Sequence, residues 1–162
     1  MYKKAKEFAI RAHGQQMYGE HPYIFHLDTV AKLVSQYGEE AQTIAYLHDI
    51  LEDTKIEILD IMESFDETIA ESVKLITDEQ GENRKERKLK TYKKLSSVSD
   101  DFKIVLIVKA ADRLANVKSC IANKHDKLLA MYRKEYKIFR HSVYRNGLCD
   151  EIWEELDKLL ES

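Results

Sequence analysis

A single proline, Pro22, and five glycines in 162 residues leave few places where this chain can break a helix. Proline and glycine are the strongest local punctuators, so their scarcity predicts helix over most of the length. The apolar spacing agrees. Tyr2 to about Gln16 sets Ala5, Phe8, Ala9 and Ala12 on one side of a first helix. From about His26 to Tyr37 a second helix lines up Val30, Leu33 and Val34, and Gly38 suits its left-handed end. Residues 17–24, MYGEHPYI, hold a glycine and the proline and are predicted as a loop. The stretch EEAQTIAYLHDILED (39–53) is predicted as one continuous third helix. Shorter segments follow near 57–64 and 66–76, then a charged helix at about 83–95 and an apolar one at 102–117. A long helix to about Arg145 and, after Gly147, an amphipathic DEIWEELDKLL complete the chain. The run KIVLIV is β-branched and passes for a strand on local grounds. Good helix formers follow it with no turn signal, which favours a buried helix. The expected fold is all-α, one domain over 1–162, with no repeat, linker or low-complexity tract.

Composition narrows the class. With 44% apolar and 34% charged residues the chain can bury a core and is not disordered. No apolar run approaches the roughly 18–20 residues that span a bilayer, and the start has no secretory apolar core. Cys120 and Cys149 read as buried or idle thiols of a reducing cytoplasm. A net charge of −3 argues against bulk binding to nucleic acid. A cytoplasmic protein with neither nucleic-acid nor membrane partners is expected, its oligomeric state left open.

Residues 46–55, YLHDILEDTK, pose a problem of charge. On a helix His48 lies over Glu52 and Asp49 over Asp53, which crowds three carboxylates around one imidazole. Acids at i and i+4 repel; a bound cation removes the difficulty. His26 opens the preceding helix, and Asp112 sits in the otherwise apolar VKAADRLANV, where an unpaired carboxylate is costly to bury. Pairing of Asp112 with Lys109 or Arg113 is the plain alternative. His26, His48, Asp49 and Asp112 together offer two imidazoles and two carboxylates from three helices, a set that suits Mn, Fe, Co or Zn. Glu52 and Asp53, one turn on, suit orienting or acid–base roles toward water, and phosphoester hydrolysis is the natural chemistry. Lys109 can neutralise the site or meet a phosphate. The segment RKERKLKTYKK (84–94) carries seven basic residues and reads first as a solvated helix face, with contact of one or two of Arg84, Lys85, Arg87 and Lys88 to outer phosphates as the functional alternative.

In this order, AKEFAIRAHGQQ, HPYIFHLDTVAKL, IAYLHDILEDTKI and IVLIVKAADRLANVKS resemble the hydrolase domain of RelA/SpoT alarmone enzymes. The stand-alone small alarmone hydrolases of the metazoan SpoT-homologue type are similar in size. The likeness covers residues 5 to about 145. It implies an HD-superfamily helical domain with a single metal site: His26, His48, Asp49 and Asp112 holding one divalent ion, usually manganese. It makes Glu52 and Asp53 the residues that activate or position the attacking water. Asn116 would sit near the ribose and scissile phosphate, Ser119 takes the place of a family hydroxyl, and Tyr136 matches an aromatic of the substrate pocket. The implied reaction is hydrolysis of the 3′-pyrophosphate of ppGpp or pppGpp to GDP or GTP and pyrophosphate.

The chain departs from the pattern at one place. Where the family carries an Arg-Lys pair against the base, this sequence has MYGEH, with Tyr18 available to stack instead. That departure keeps other phosphorylated nucleotides open as substrates, ppApp and NADPH among them. A silent nucleotide- or metal-binding module is the non-enzymatic rival.

Overall fold

Helices account for about three quarters of residues 1–161, which the computed structural model describes. α1 (Tyr2–His13) ends at Gly14, whose φ of 57° lies where a side chain is strained, three residues short of the predicted end. The predicted loop contains a minimal antiparallel hairpin, β1 (Met17–Tyr18) and β2 (His21–Pro22), with Met17 opposite Pro22 and Tyr18 opposite His21. α2 (Ile24–Leu33) follows, then a 3₁₀ turn (Ser35–Tyr37).

The predicted third helix is two. α3 (Glu39–Leu47) stops before the His-Asp pair and α4 (Ile50–Asp53) resumes after it, while Asp49 sits at φ −103°, ψ 1°. The reason is directional. Successive side chains on a regular helix diverge by about 100°, whereas His48 and Asp49 both aim at one point, and the interruption turns them together. The break is local, since Asp53 N–H still donates to the Asp49 carbonyl at 3.0 Å.

α5 (Ile58–Ser64) and α6 (Glu67–Ile76) form a short hairpin. The Asp66 carboxylate caps α6 through Ile69 N–H at 2.7 Å, and Asn83 caps α7 (Arg84–Ser96) through Glu86 N–H at 2.9 Å. α8 (Lys103–Ala122) is the apolar stretch with its β-branched run, a helix as expected that ends five residues later than predicted. α9 (Asp126–Val143) and α10 (Asp150–Leu160) complete the chain.

α8 is the central post. Val105, Leu106, Val108, Ala110, Ala111 and Leu114 are buried, and α2, α3, α6, α9 and α10 pack around it. Its β-branched residues outweigh their weak helix propensity through this burial. Trp153 of α10 packs against Phe139 and Tyr144 and closes the bottom of the core. Cys120 and Cys149 are both free and buried. Among the described residues no helix is long and apolar enough to cross a membrane.

Candidate metal centre and adjoining clefts

The first turn of α2, the α3–α4 interruption and the middle of α8 deliver His26, His48, Asp49 and Asp112 to one point. One donor atom from each lies within 4.8 Å of all the others. His26 Nε2 is 3.0 Å from Asp112 Oδ1 and 3.7 Å from Asp49 Oδ2. His48 Nε2 is 3.3 Å from Asp112 Oδ1 and 3.0 Å from Asp49 Oδ2. These are the separations expected between neighbouring ligands of a small divalent ion with bonds of about 2.0–2.2 Å.

The surrounding hydrogen bonds aim these atoms inward. A carbonyl only accepts, so the 2.6 Å contact with the Ala45 carbonyl makes His48 Nδ1 the donor and turns the Nε2 lone pair to the centre. Tyr23 O–H donates to Asp49 Oδ2 at 2.5 Å. Asn116 Nδ2 donates to Asp112 Oδ1 at 3.1 Å and its Oδ1 accepts from Tyr18 O–H at 2.7 Å. The Tyr18 ring lies flat on the His26 imidazole, 4.6 Å between centroids. Burial alone would lower the His48 pKa, but the Asp49 and Asp112 carboxylates outweigh it and raise it well above the ordinary value. Burial likewise opposes ionisation of Asp112, yet His48 and His26 hold it well below the usual carboxylate range. Two part-buried carboxylates that stay ionised between two buried imidazoles are a donor set that suits a divalent cation.

Neither basic neighbour pairs with Asp112. Lys109, buried, points its Nζ to Asp78 Oδ1 at 3.6 Å, and Lys88 Nζ reaches Asp78 Oδ2 at 2.7 Å. Arg113 turns the other way, to Glu135 at 3.4 Å and the Tyr92 hydroxyl at 2.9 Å, its guanidinium over the Phe139 ring. The plain salt-bridge reading of Asp112 is thereby set aside, and its carboxylate is left to the imidazoles.

Glu52 and Asp53 diverge. Glu52 Oε1 accepts from Asp78 N–H at 2.6 Å and lines a polar cleft of about 210 Å³ with the metal-site residues, Lys88 and Lys109. The residue as a whole is exposed, but crowding within the cleft, burial first and then the Asp78 and Asp49 charges, pushes its carboxyl up to about 7. Asp53 is exposed and is not a lining residue of that cleft. Its Oδ2 accepts from Gln16 Nε2 at 3.0 Å, and Gln16 Oε1 in turn lies 2.8 Å from His13 Nδ1.

A second cavity of about 500 Å³ adjoins the first, sharing Asn116 and Tyr132 and lined further by Tyr18, Glu20, Ser119 and Asn123. Of the residues expected to meet substrate, Tyr18, Lys109, Asn116 and Ser119 therefore line one cavity or the other. Tyr136 does not. Its hydroxyl donates to Asp157 and its ring packs beside Trp153, while Tyr132, one turn earlier on α9, faces both cavities. Tyr23, Asp78 and Glu135 were not foreseen. Only Tyr23 carried a nearby signal, lying between the proline and His26. A further surface cavity of about 690 Å³ along α9 and α10 shares no lining residue with either cleft.

A helical domain in which a histidine, a His-Asp pair and a distant aspartate meet at one point carries the donor set of an HD-type domain, one that suits a divalent metal. The chain belongs to the HD domain family, whose model matches residues 5–148. It is 33% identical over 150 residues to the guanosine-3′,5′-bis(diphosphate) 3′-pyrophosphohydrolase of Aquifex aeolicus (strain VF5), covering 90% of this chain and 21% of that protein. It is 31% identical over 166 residues to the GTP pyrophosphokinase rsh of Brucella ovis, covering 98% and 22%. The chain thus spans about a fifth of the length of these relatives. Its fold superimposes with a TM-score of 0.84 on a metazoan ortholog of SpoT that hydrolyses ppGpp, at 22% identity, over 99% of this chain and 93% of that one.

Proposed function

We propose that the chain hydrolyses the 3′-pyrophosphate of guanosine tetra- or pentaphosphate, releasing pyrophosphate and GDP or GTP. The carrying observation is the junction of three features: four candidate metal donors within 4.8 Å, a polar cleft that holds Lys88 and Lys109, and a nucleoside-sized cavity opening beside Asn116. The similarity to proteins named as 3′-pyrophosphohydrolases supports the same substrate.

His26, His48, Asp49 and Asp112 would hold the divalent ion, manganese in this reading. When bound, such an ion supplies Lewis-acid polarisation of the phosphoryl group and makes water a better nucleophile at neutral pH.

The residues of the chain divide the remaining work. Lys109 and Lys88 flank Asp78 in the cleft and offset the charge of the pyrophosphate. Glu52 takes the proton of the water that attacks the phosphorus attached to the ribose 3′ oxygen. A carboxyl raised to about 7 is a better acceptor than an ordinary glutamate. As the phosphorus–oxygen bond breaks, the proton returns to the 3′ oxygen, leaving a 3′-hydroxyl nucleotide and pyrophosphate. Asp53 lies outside that cleft, its carboxylate tethered by Gln16, and takes no direct step in this reading. Asn116, bonded to both Asp112 and Tyr18, stands where the ribose must pass between the cavities. Ser119 and Tyr132 line the nucleoside side.

One observation favours a second reading. The hairpin sets Met17 and Tyr18 where an Arg-Lys pair is expected, so another phosphorylated nucleotide, ppApp or NADPH, is the alternative substrate. Purified chain with Mn²⁺ is to be assayed against ppGpp, ppApp and NADPH, with Asp112→Ala as control. The expected result is pyrophosphate release from ppGpp, absent in the control. Phosphate release from NADPH with no turnover of ppGpp would reject the alarmone reading.

A further inference from the structure

We infer that Glu20 selects the base of the bound nucleotide, favouring guanine over adenine; the inference rests on the reading of the chain as a nucleotide hydrolase. The hairpin places this residue. Tyr18 and His21 pair across a two-residue loop, and Gly19 opens that loop at φ 60°, a conformation glycine adopts without strain. Tyr18 anchors the hairpin to the metal centre twice, through its ring on His26 and its hydroxyl on Asn116. Two residues beyond that anchor, Glu20 lines the 500 Å³ cavity that continues from Asn116 away from the metal ligands. A cavity of that size accommodates a purine nucleoside.

Among the described lining residues Glu20 is the sole carboxylate, and there is no lysine or arginine. Across from the hairpin, Asn123 spends its amide N–H groups on the Ser119 carbonyl at 2.9 Å and the Ser119 hydroxyl at 3.2 Å, which leaves its Oδ1 as an acceptor. Glu20 and Asn123 Oδ1 thus offer acceptors to a base edge, while His125 and the Ser119 and Tyr132 hydroxyls in the same lining can donate or accept. Guanine offers adjacent N1–H and N2–H₂ donors that match the two oxygens of a carboxylate. Adenine offers the N1 lone pair in the same place, which faces the carboxylate without a hydrogen bond between them. A hydrogen bond to a charged group is worth roughly ten- to a hundredfold in affinity, and a site built to bond a donor rejects the analogue that lacks it. In this arrangement the expected Arg-Lys pair is replaced by an aromatic anchor and an acid that reads the base edge.

The test is calorimetric binding of GDP and of ADP, with Mn²⁺, to the wild-type chain, Glu20→Gln and Glu20→Ala. Glu20 is exposed on a turn, and thermal melts establish that the variants fold. The expected wild-type preference for GDP is at least tenfold, falling to within about threefold in Glu20→Ala, with Glu20→Gln between them. Equal binding of GDP and ADP by the wild type, or a preference untouched in Glu20→Ala, would overturn the inference. Hydrolysis of ppGpp by the same preparations reports separately: selective, Glu20-dependent binding without turnover would sink the hydrolase reading and leave base selection standing.

Discussion

Lys109 and Asp112 sit one turn apart on α8 and do not pair: Lys109 turns to Asp78, while Asp112 Oδ1 lies 3.0 Å from His26 Nε2. The separation of these two opposite charges is what leaves a carboxylate available to a metal. Asp112→Ala should therefore remove metal binding without unfolding the chain. Saturation of a site at about a hundred times its dissociation constant adds about 2.7 kcal/mol, or roughly 5–10 °C in melting temperature for a chain of this size. The wild type should show that rise with Mn²⁺ and lose it with EDTA, and Asp112→Ala should melt at one temperature in both. A metal-induced rise preserved in the variant would remove Asp112 from the ligand set.

Glu52 offers a kinetic prediction. Its carboxyl must be ionised to accept a proton, and crowding by burial, Asp78 and Asp49 pushes it up to about 7. The ionised fraction grows as pH rises, so kcat should climb with pH through an acidic limb. That limb should lie at or below about 7, because a cation at the centre lowers the pKa of a nearby carboxyl. Glu52→Gln should reduce kcat by roughly 10²- to 10⁴-fold, flatten the limb and keep the metal-induced rise in melting temperature. A variant that loses metal binding together with activity would point to a structural role instead.

Of the residues grouped at the centre, His48, Asp49 and Asp112 stood out in the sequence against a local rule, whereas His26 broke none and joined them by its place at the start of a helix and by the family resemblance. Two acids repeated beside an imidazole, and a carboxylate lay within an apolar helix. What was not legible is long-range or geometric. The interruption at His48 and Asp49 has no glycine or proline to announce it; it follows from where two side chains must point. The boundary between α8 and α9 is similar. Lys124 takes a left-handed φ of 54°, and His125 N–H closes the helix end on the Cys120 carbonyl at 2.8 Å, a conformation usually marked by glycine. Tyr132 and Tyr136 share one face of α9 at i and i+4, so their spacing alone could not tell which turn meets the cleft and which meets Trp153. Asp78 and Glu135 are defined by partners far along the chain.

Away from the site, Asp157 ties α10 to α9. It accepts from Arg140 Nε at 3.0 Å and Nη2 at 3.2 Å and from the Tyr136 hydroxyl. Burial acts to raise its pKa, but the bonds from Arg140 and Tyr136 outweigh it and hold the carboxyl below its ordinary value. A depressed folded pKa means that the contribution to stability is complete above the unfolded value of roughly 3.9 and is lost as pH falls through the folded one. The pair is partly solvent-exposed, so the contribution is modest. Asp157→Asn should lower stability by about 1 kcal/mol at pH 7, and the difference from wild type should shrink steadily below about pH 4. Urea midpoints of both proteins at pH 7 and pH 3 measure it. A difference that is the same at both values would show that the charge of Asp157 is not what matters.

Tyr23 gives the most selective probe of the metal centre, because its hydroxyl touches a proposed ligand without being one. It donates to Asp49 Oδ2 at 2.5 Å, and its ring stacks on His13 with centroids 4.7 Å apart. Burial first and then the Asp49 carboxylate raise the phenol far above its ordinary pKa, so the group stays a protonated donor throughout the working range. Tyr23→Phe keeps the ring and its stacking while removing only the bond that orients Asp49. Loss of such an outer hydrogen bond costs about 10- to 100-fold in metal affinity. Titration with Mn²⁺, followed by electron paramagnetic resonance of the free ion, should show that weakening with the metal-free melting temperature nearly unchanged. If the affinity is unaltered, Asp49 is held by His48 and the helix interruption alone, and the tyrosine contributes only packing.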